Sequence, residues 1–253
     1  MKSLAQDLIT LRRLEERRRL LKFMAMFPLA ACGAADLAST GSALGSCSVI
    51  PEETAGPYPG DGSNGVNALS LSGIVRSSIA SSFGSMSGVA AGIPLTITLT
   101  LVGTNVSCVP LEGYAIYAWH CDRDGNYSLY TVANQNYLRG VQETDANGQV
   151  KFTTIFPGCY SGRWPHVHFE VYPNLASATV STKKIKTSQL ALPSAACNSV
   201  YATSGYESSV SNFAKITLAS DNVFSDGTTL QVPTVTGDAV SGFNAALTVG
   251  IAA

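Results

Sequence analysis

Short segments rich in β-branched and aromatic residues recur between residues 69 and 235, and they restrict the fold more than any other feature. Gly, Asn, Asp and Pro bound these segments, as is typical of antiparallel strands. The spacing of the turns predicts an all-β fold, an antiparallel β-sandwich of about 200 residues. The predicted strands are Leu69–Arg76, Pro94–Val102, Tyr114–Cys121, Val150–Phe156, His166–Tyr172 and Leu230–Val235.

Asp145-Ala146-Asn147-Gly148 predicts a tight turn, because Asn and Gly tolerate positive φ. The alternating residues that follow, Gln149–Phe156, predict that this turn closes a β-hairpin. Helical character is confined to Ser194–Ala202 and Glu207–Lys215, so we expect few and short helices.

The first 31 residues have the features of an export leader. Arg17-Arg18-Arg19-Leu20-Leu21-Lys22 fits the twin-arginine pattern, and the short apolar stretch Phe23–Ala31 follows it. Leu29-Ala30-Ala31-Cys32 resembles a bacterial lipobox, in which the cysteine becomes lipidated. The alternative is an amphipathic helix with solvated arginines. We expect an exported protein, at the cell surface, in the periplasm or outside the cell, with Cys32 as the candidate lipid anchor.

Residues 32–48 consist mainly of Ala, Gly, Ser and Thr, which predicts a flexible tether before a single folded domain of residues 49–253. No run of about 18 apolar residues is present, so a spanning helix is excluded. Residues 1–31 carry seven Lys/Arg and three Asp/Glu, which leaves residues 32–253 with an acidic excess. This excess argues against nucleic-acid binding.

The cysteines limit the choice of metal motifs. If Cys32 is lipidated, an odd number remains, so at least one is unpaired in an oxidising compartment, and the sequence does not select the pairs. No spacing is C-x-x-C, so a zinc ribbon or a thioredoxin motif has no support. We expect Cys121 and Cys159 to be disulfide-bonded or buried. The remaining cysteines are Cys47, Cys108, Cys121, Cys159 and Cys197.

Two of the three histidines of the chain lie on one predicted strand. Side chains alternate along a strand, so His166, His168 and Glu170 share one face while Val167 and its apolar neighbours occupy the other. Two imidazoles on one face can converge on a metal ion. The alternative is a pair of surface histidines on a half-solvated strand. The usual zinc hydrolase ligand sets are incomplete, so other ligands must come from elsewhere in the chain.

Three stretches, in this order, resemble the intradiol ring-cleavage dioxygenases: Thr54–Tyr58, Trp119–Ser128 and Pro157–Phe169. The resemblance extends from about Pro51 to Leu192. It implies a β-sandwich enzyme that binds a ferric ion, Fe(3+), through two tyrosinates and two histidines. The matching residues are Tyr127, Tyr160, His166 and His168. Phenolates are hard, strongly donating anions, which suit Fe(III) better than Fe(II).

The resemblance also implies a reaction. Such an enzyme uses O2 to cleave a catechol-type ring between its two hydroxylated carbons, without an external reductant, and gives a muconate-type diacid. Tyr160 would leave the iron when substrate binds, and Tyr127 would stay bound. Arg163 would stabilise negative charge on the bound substrate, and Gln189 would lie near the oxygen-binding side. Tyr58 is the candidate wall of the substrate pocket, although a packed core tyrosine is equally compatible.

Two other segments have structural interpretations. His120 follows Trp119 on a predicted strand, and we interpret it as a structural imidazole or one that supports a metal ligand. Asp122-Arg123-Asp124-Gly125 begins like a calcium loop but lacks the later acidic ligands, so a tight turn that presents Tyr127 is the better interpretation.

Two rival functions stay open on the sequence. One is a secreted β-sandwich that binds aromatic or carbohydrate ligands without turnover. The other is zinc or copper on the same imidazole pair. The sequence leaves the particular catechol and the oligomeric state open.

Overall fold

The described part of the molecule, residues 48–253 of a computed structural model, folds mainly into strands. The predicted leader, Cys32, Cys47 and all of the predicted tether except Ser48 lie outside the described residues. The strands are β1 (Pro94–Gly103), β2 (Val109–Pro110), β3 (Ala115–Trp119), β4 (Arg139–Glu143), β5 (Gln149–Ile155), β6 (His166–Tyr172), β7 (Lys186–Ala191), β8 (Thr234–Asp238) and β9 (Gly242–Ile251). The α-helices are α1 (Ser194–Tyr201) and α2 (Glu207–Phe213). No helix within residues 48–253 is long and apolar enough to cross a membrane.

The strands form two sheets, which confirms the predicted all-β sandwich with few short helices. In the first sheet β1 lies between β5 and β9, β8 pairs with β9, and β2 pairs with the end of β1. The second sheet has the order β4-β3-β6-β7 and is antiparallel throughout. The pairing of β1 with β9 is parallel, which the sequence did not predict.

The main core lies between the sheets. Along β1, Leu95, Ile97 and Leu99 are each about 1% exposed, while the threonines between them are half-buried. From the second sheet, Val167 and Phe169 of β6 belong to the same apolar cluster. Burial of each such side chain stabilises the fold by about 1.5–3 kcal/mol.

The outer face of the second sheet is also buried, so that every residue of β6 is buried. A second apolar cluster covers this face and includes Tyr117, Trp119 and Tyr127 together with residues of the chain before β1. The histidines of β6 therefore lie under other parts of the chain, and the interpretation as surface histidines on a half-solvated strand is wrong.

Several predicted elements are confirmed and two strands are corrected. The two helices occur where expected, and β1, β3, β5 and β6 lie within or close to the predicted ranges. Leu69–Arg76 is not a strand, because Gly73 has a φ of +97° in a series of turns and only a single bridge, from Val75 to Val141, joins it to β4. In Leu230–Val235 only the last two residues belong to a strand, β8.

The turn at Asp145–Gly148 is confirmed, but the hairpin is wrong. The Asp145 carboxylate accepts hydrogen bonds from the N–H groups of Asn147 and Gln149, and Gly148 has a φ of +71°. The strands on either side pair elsewhere, β4 with β3 and β5 with β1, so the turn carries the chain from one sheet to the other.

Among the described residues, Cys121, Cys159 and Cys197 are buried thiols without a disulfide, and Cys108 is disulfide-bonded. Burial raises the pKa of the Cys159 thiol to about 12, so it is protonated at neutral pH. Cys121 and Cys159 are buried and not disulfide-bonded, which agrees with the expectation that they are one or the other.

Candidate metal centre

The site begins with the pleat of β6. His166 and His168 are two residues apart, so their side chains leave the same face of the strand. Their rings are 4.6 Å apart between centroids, and the two Nε2 atoms are 3.0 Å apart. The indole of Trp119 is stacked on the His168 ring, with 4.8 Å between centroids and 4° between planes. The stacking fixes the orientation of the ring.

Two loops bring the tyrosines to this point. Tyr127 follows a tight turn in which the Asp122 carboxylate accepts the N–H groups of Asp124 and Asn126, as predicted. Gly125 in this turn has a φ of +86°, and a Cβ there would lie 2.8 Å from the Cβ of Tyr160. The two tyrosine-bearing loops can therefore approach each other only because position 125 is glycine.

Both phenol oxygens face the imidazoles. Tyr127 Oη lies 3.4 Å from His168 Nε2, and Tyr160 Oη lies 3.3 Å from His166 Nε2. Tyr127 is 2% exposed, while Tyr160 is half-buried and lies nearer to solvent. The structure thus brings together all four side chains that the sequence singles out.

The four atoms fit a single metal ion. Two ligands about 2.1 Å from one ion and at right angles to each other lie about 3.0 Å apart, as the two Nε2 atoms do. His166 Nδ1 contacts the carbonyl oxygen of Trp164 at 2.5 Å, so this nitrogen carries the proton and Nε2 presents its lone pair. His168 Nδ1 is buried with no hydrogen-bond partner within residues 48–253. Since His166 Nε2 presents a lone pair 3.0 Å from His168 Nε2, either a proton on His168 Nε2 or a cation must lie between the two nitrogens.

Burial keeps these four groups neutral when no cation is near. It lowers the pKa of His166 to about 3, and that of His168 well below its usual value. Burial also raises the pKa of Tyr160 to about 12, and that of Tyr127 well above its usual value. A bound cation reverses this balance for the phenols, since it stabilises phenolate. Within residues 48–253 no three His, Cys, Asp or Glu side chains come together as a metal site, so the tyrosines are needed.

Arg163 lies beside the four-residue cluster. Its Nη1 is 3.5 Å from His166 Nε2, and its Nη2 donates to Gln189 Oε1 at 2.6 Å. The fully buried Asp221 accepts Arg163 Nε at 2.9 Å and the backbone N–H of Trp164 at 2.6 Å. Arg163 is thus fixed from two sides, which makes its charge a stationary feature of the site.

Gln189 is buried and lies beside His168, its direct neighbour in the β6–β7 register. Its amide nitrogen donates to the Thr54 carbonyl at 2.8 Å. Gln189 is therefore not a surface residue, and the structure places it next to Arg163.

A cavity of about 570 Å³ opens in front of the cluster. Tyr58 forms part of its wall, and the Tyr58 ring lies 5.0 Å from that of Tyr127 and 5.1 Å from that of Tyr130. Tyr58 thus lies in the wall of this cavity, and its contact with a substrate stays a prediction. The other lining residues are Thr54, Gly56, Pro57, Gly125, Tyr127, Thr131, Tyr160, Arg163, Asn222 and Val223.

Sequence reasoning missed two residues that hold this arrangement. Asp221 lies beyond Leu192, where the resemblance ends, and no pattern in the sequence relates it to Arg163. Arg139 is fully buried and donates to the carbonyls of Tyr58 and Pro59 and to Ser128, so it fixes the pocket wall and the loop after Tyr127. The one signal that the sequence offers for Arg139 is an arginine at a strand position with few other charges around it.

His120 and Glu170 are not part of the cluster. His120 contacts the Cys121 carbonyl and Thr154 Oγ1, each at 2.7 Å, which agrees with a structural imidazole. Glu170 shares the face of the two histidines, but it pairs with Lys184 at 2.7 Å and accepts a hydrogen bond from Tyr172.

No protein-family model matches the chain, and no curated protein matches it. Solved structures do. An intradiol ring-cleavage dioxygenase from Tetranychus urticae is 26% identical with a TM-score of 0.62, over 81% of this chain and 94% of that chain. The dioxygenase domain of a carbohydrate-binding fusion protein from Streptomyces sp. SirexAA-E is 21% identical with a TM-score of 0.50, over 81% and 98%, and supports the fold alone.

The Tetranychus urticae enzyme is similar to this chain over most of the length of both chains. This fold and this site define an oxidoreductase of the dioxygenase class. Within that class, the chain is similar to the intradiol ring-cleavage dioxygenases, which confirms the resemblance carried by its three motifs.

Proposed function

We propose that this chain is a non-haem Fe(III) enzyme that uses O2 to cleave a catechol-type ring between its hydroxylated carbons and releases a muconate-type diacid. The observation that carries the proposal is the convergence of two buried phenols and two buried imidazoles beside a fixed arginine. Hard anionic oxygen ligands favour Fe(III), while zinc sites are built from His, Cys and carboxylates.

Tyr127, Tyr160, His166 and His168 would hold the iron. When bound, Fe(III) would supply a Lewis acid that draws electron density from a chelated catecholate and so makes a ring carbon reactive toward O2. The protein would provide the ligand set, the orientation of the ring and the exclusion of water.

The two tyrosines would have different roles. Both tyrosines line the cavity, but Tyr160 is the more exposed of the pair, so an arriving catechol reaches it first. Its Oη would accept a proton from a substrate hydroxyl as the phenol leaves the metal. Tyr127 is held in a buried position behind Tyr58, and we expect it to stay bound throughout.

Arg163 would stabilise negative charge on the bound ring. The cation is held by Asp221 and Gln189 before substrate arrives, so its orientation costs little at the moment of reaction. Gln189 in turn is fixed to Thr54, at the edge of the cavity.

Metal analysis and product identification test the proposal. Protein purified without added metal should contain iron and show a tyrosinate-to-iron absorption band in the visible range. Oxygen uptake with a panel of catechols should be accompanied by muconate-type products. Zinc at full occupancy without iron, or products cleaved next to rather than between the hydroxyls, would contradict it.

We also propose that residues 1–31 direct export and that Cys32 carries a lipid. Cell fractionation should find the native protein outside the cytoplasm and in the membrane fraction, and a Cys32→Ser variant in the soluble exported fraction. A native protein that stays in the cytoplasm would contradict the proposal.

A further inference from the structure

The cavity in front of the cluster is larger than a single aromatic ring requires. Its volume is about 570 Å³, whereas a cavity of roughly 150 Å³ holds benzene. A catechol at the cluster therefore leaves space for a ring substituent. The lining that such a substituent would meet includes Pro57, Tyr58, Asn222 and Val223, none of which carries a charge.

The single charged residue among the described lining residues is Arg163, and its charge is already paired. Asp221, which is fully buried, accepts its Nε at 2.9 Å. Its remaining nitrogens face Gln189 and His166, toward the cluster. A carboxylate on the outer part of a bound ring would thus find no free cation among the described lining residues.

Two further carboxylates are close in sequence to the cavity lining. Glu53 immediately precedes Thr54 of the lining, and the exposed Asp226 follows Val223 by three residues. Glu53 accepts a hydrogen bond from Gln231 at 3.0 Å, and its pKa is raised, first by burial and then by the charges of Asp226 and Asp221, against the lowering effects of Gln231 and Arg163. Because Asp221 already pairs with Arg163, Glu53 and Asp226 would add a negative field that repels a negative substituent.

We propose that this cavity selects catechols whose ring substituents are uncharged and discriminates against carboxylated catechols. This inference rests on the proposed function, because it assumes that the catechol hydroxyls lie at the Tyr–His cluster. Glu53 and Asp226 act as specificity-determining residues through their field, and the uncharged walls accept an apolar or amide substituent.

The test compares two ligands that differ in charge and little in shape, 3,4-dihydroxybenzoate and 3,4-dihydroxybenzamide. With iron-loaded protein, dissociation constants are measured without O2 by calorimetry, and kcat/KM with O2. We expect the amide to bind about tenfold more tightly at low salt. The preference should shrink as ionic strength rises, because the Debye length falls from about 30 Å at 0.01 M to about 10 Å at 0.1 M.

A double variant, Glu53→Gln with Asp226→Asn, should lower the amide preference about threefold or more. The electronic difference between the two ligands is the same in every variant, so it cancels when ratios are compared. Glu112→Gln is the matched control: it removes an exposed charge between β2 and β3, at a residue that does not line the cavity, and should leave the ratio unchanged.

Equal or tighter binding of the acid by native protein would overturn the inference, and so would a ratio that does not depend on salt. Both native-protein measurements stand even if the double variant fails to fold. The proposed function fails differently: neither compound, nor catechol itself, would perturb the visible band or be cleaved.

Discussion

The two faces of β6 are both buried, but they are built from different chemistry. Toward the first sheet, Val167 and Phe169 pack among apolar side chains that require no particular partner. Away from it, His166, His168 and Glu170 are buried polar groups, each of which loses several kcal/mol of hydration unless a partner compensates. Apolar packing on the inner face stabilises the sandwich, whereas the outer face carries the two histidines of the candidate site.

His168→Ala should produce the largest effect on the outer face. It removes one of four proposed donors, and we expect iron content to fall by more than about 100-fold at limiting iron, with loss of ring cleavage. Metal analysis and the visible band measure the first effect, and oxygen uptake measures the second. Circular dichroism should show the sandwich intact. Full iron and native activity in this variant would exclude His168 as a ligand.

Phe169→Ala tests the inner face next to it. Removal of a fully buried phenyl ring should lower the free energy of unfolding by about 3–5 kcal/mol. Urea unfolding measures this cost. Protein that remains folded should bind iron and show a native visible band, since the ring points away from the cluster. A large loss of iron affinity at full folding would mean that the two faces are not separable.

The inner face could be predicted from the sequence better than the rest of the fold. Alternation along Pro94–Val102 and His166–Tyr172 matches β1 and β6, because one side of each strand packs in the core. Strand β7 escaped prediction because Thr187, Ser188 and Gln189 are polar yet buried. The chain after Pro51 bonds to Thr187, whose carbonyl accepts the Glu53 N–H and whose own N–H donates to Glu52 Oε1, and no local pattern predicts that contact.

For the site, local motifs were sufficient to find the four cluster residues and Arg163. The partners that orient them were not predictable, since Asp221 lies 58 positions from Arg163 and Arg139 lies 80 positions from Pro59. Their roles depend on which loops the sandwich brings together. Residues that take part in the chemistry can be recognised by their type and their spacing in the sequence. A residue that supports them is defined only by its contacts in the folded structure.

Asp221→Asn should separate positioning from metal binding. We expect kcat to fall about 10- to 100-fold through a less constrained Arg163, with iron content unchanged.

Burial alone would raise the pKa of Asp221, but hydrogen bonds from the Trp164 and Val223 N–H groups and from Arg163 hold it below its usual value. The anchoring is thus complete above a pH of about 4, where unfolded Asp ionises, and is lost as the pH falls through the lowered pKa. Steady-state kinetics between pH 5 and 8 should therefore show a constant ratio of variant to native kcat.

Tyr160→Phe and Tyr127→Phe form the most delicate comparison, because each removes one oxygen from the same cluster. Tyr160 borders the cavity and is half-buried. We therefore expect Tyr160→Phe to keep iron and to shift the visible band. It should also slow catechol binding about tenfold, because the substrate loses its proton acceptor. Tyr127 also lines the cavity but is only 2% exposed, so Tyr127→Phe should weaken iron binding while altering the substrate on-rate less. Stopped-flow mixing without O2 separates these effects. Identical spectra and binding rates in the two variants would show that exposure does not distinguish the tyrosines, and the proton would then need another acceptor near His166.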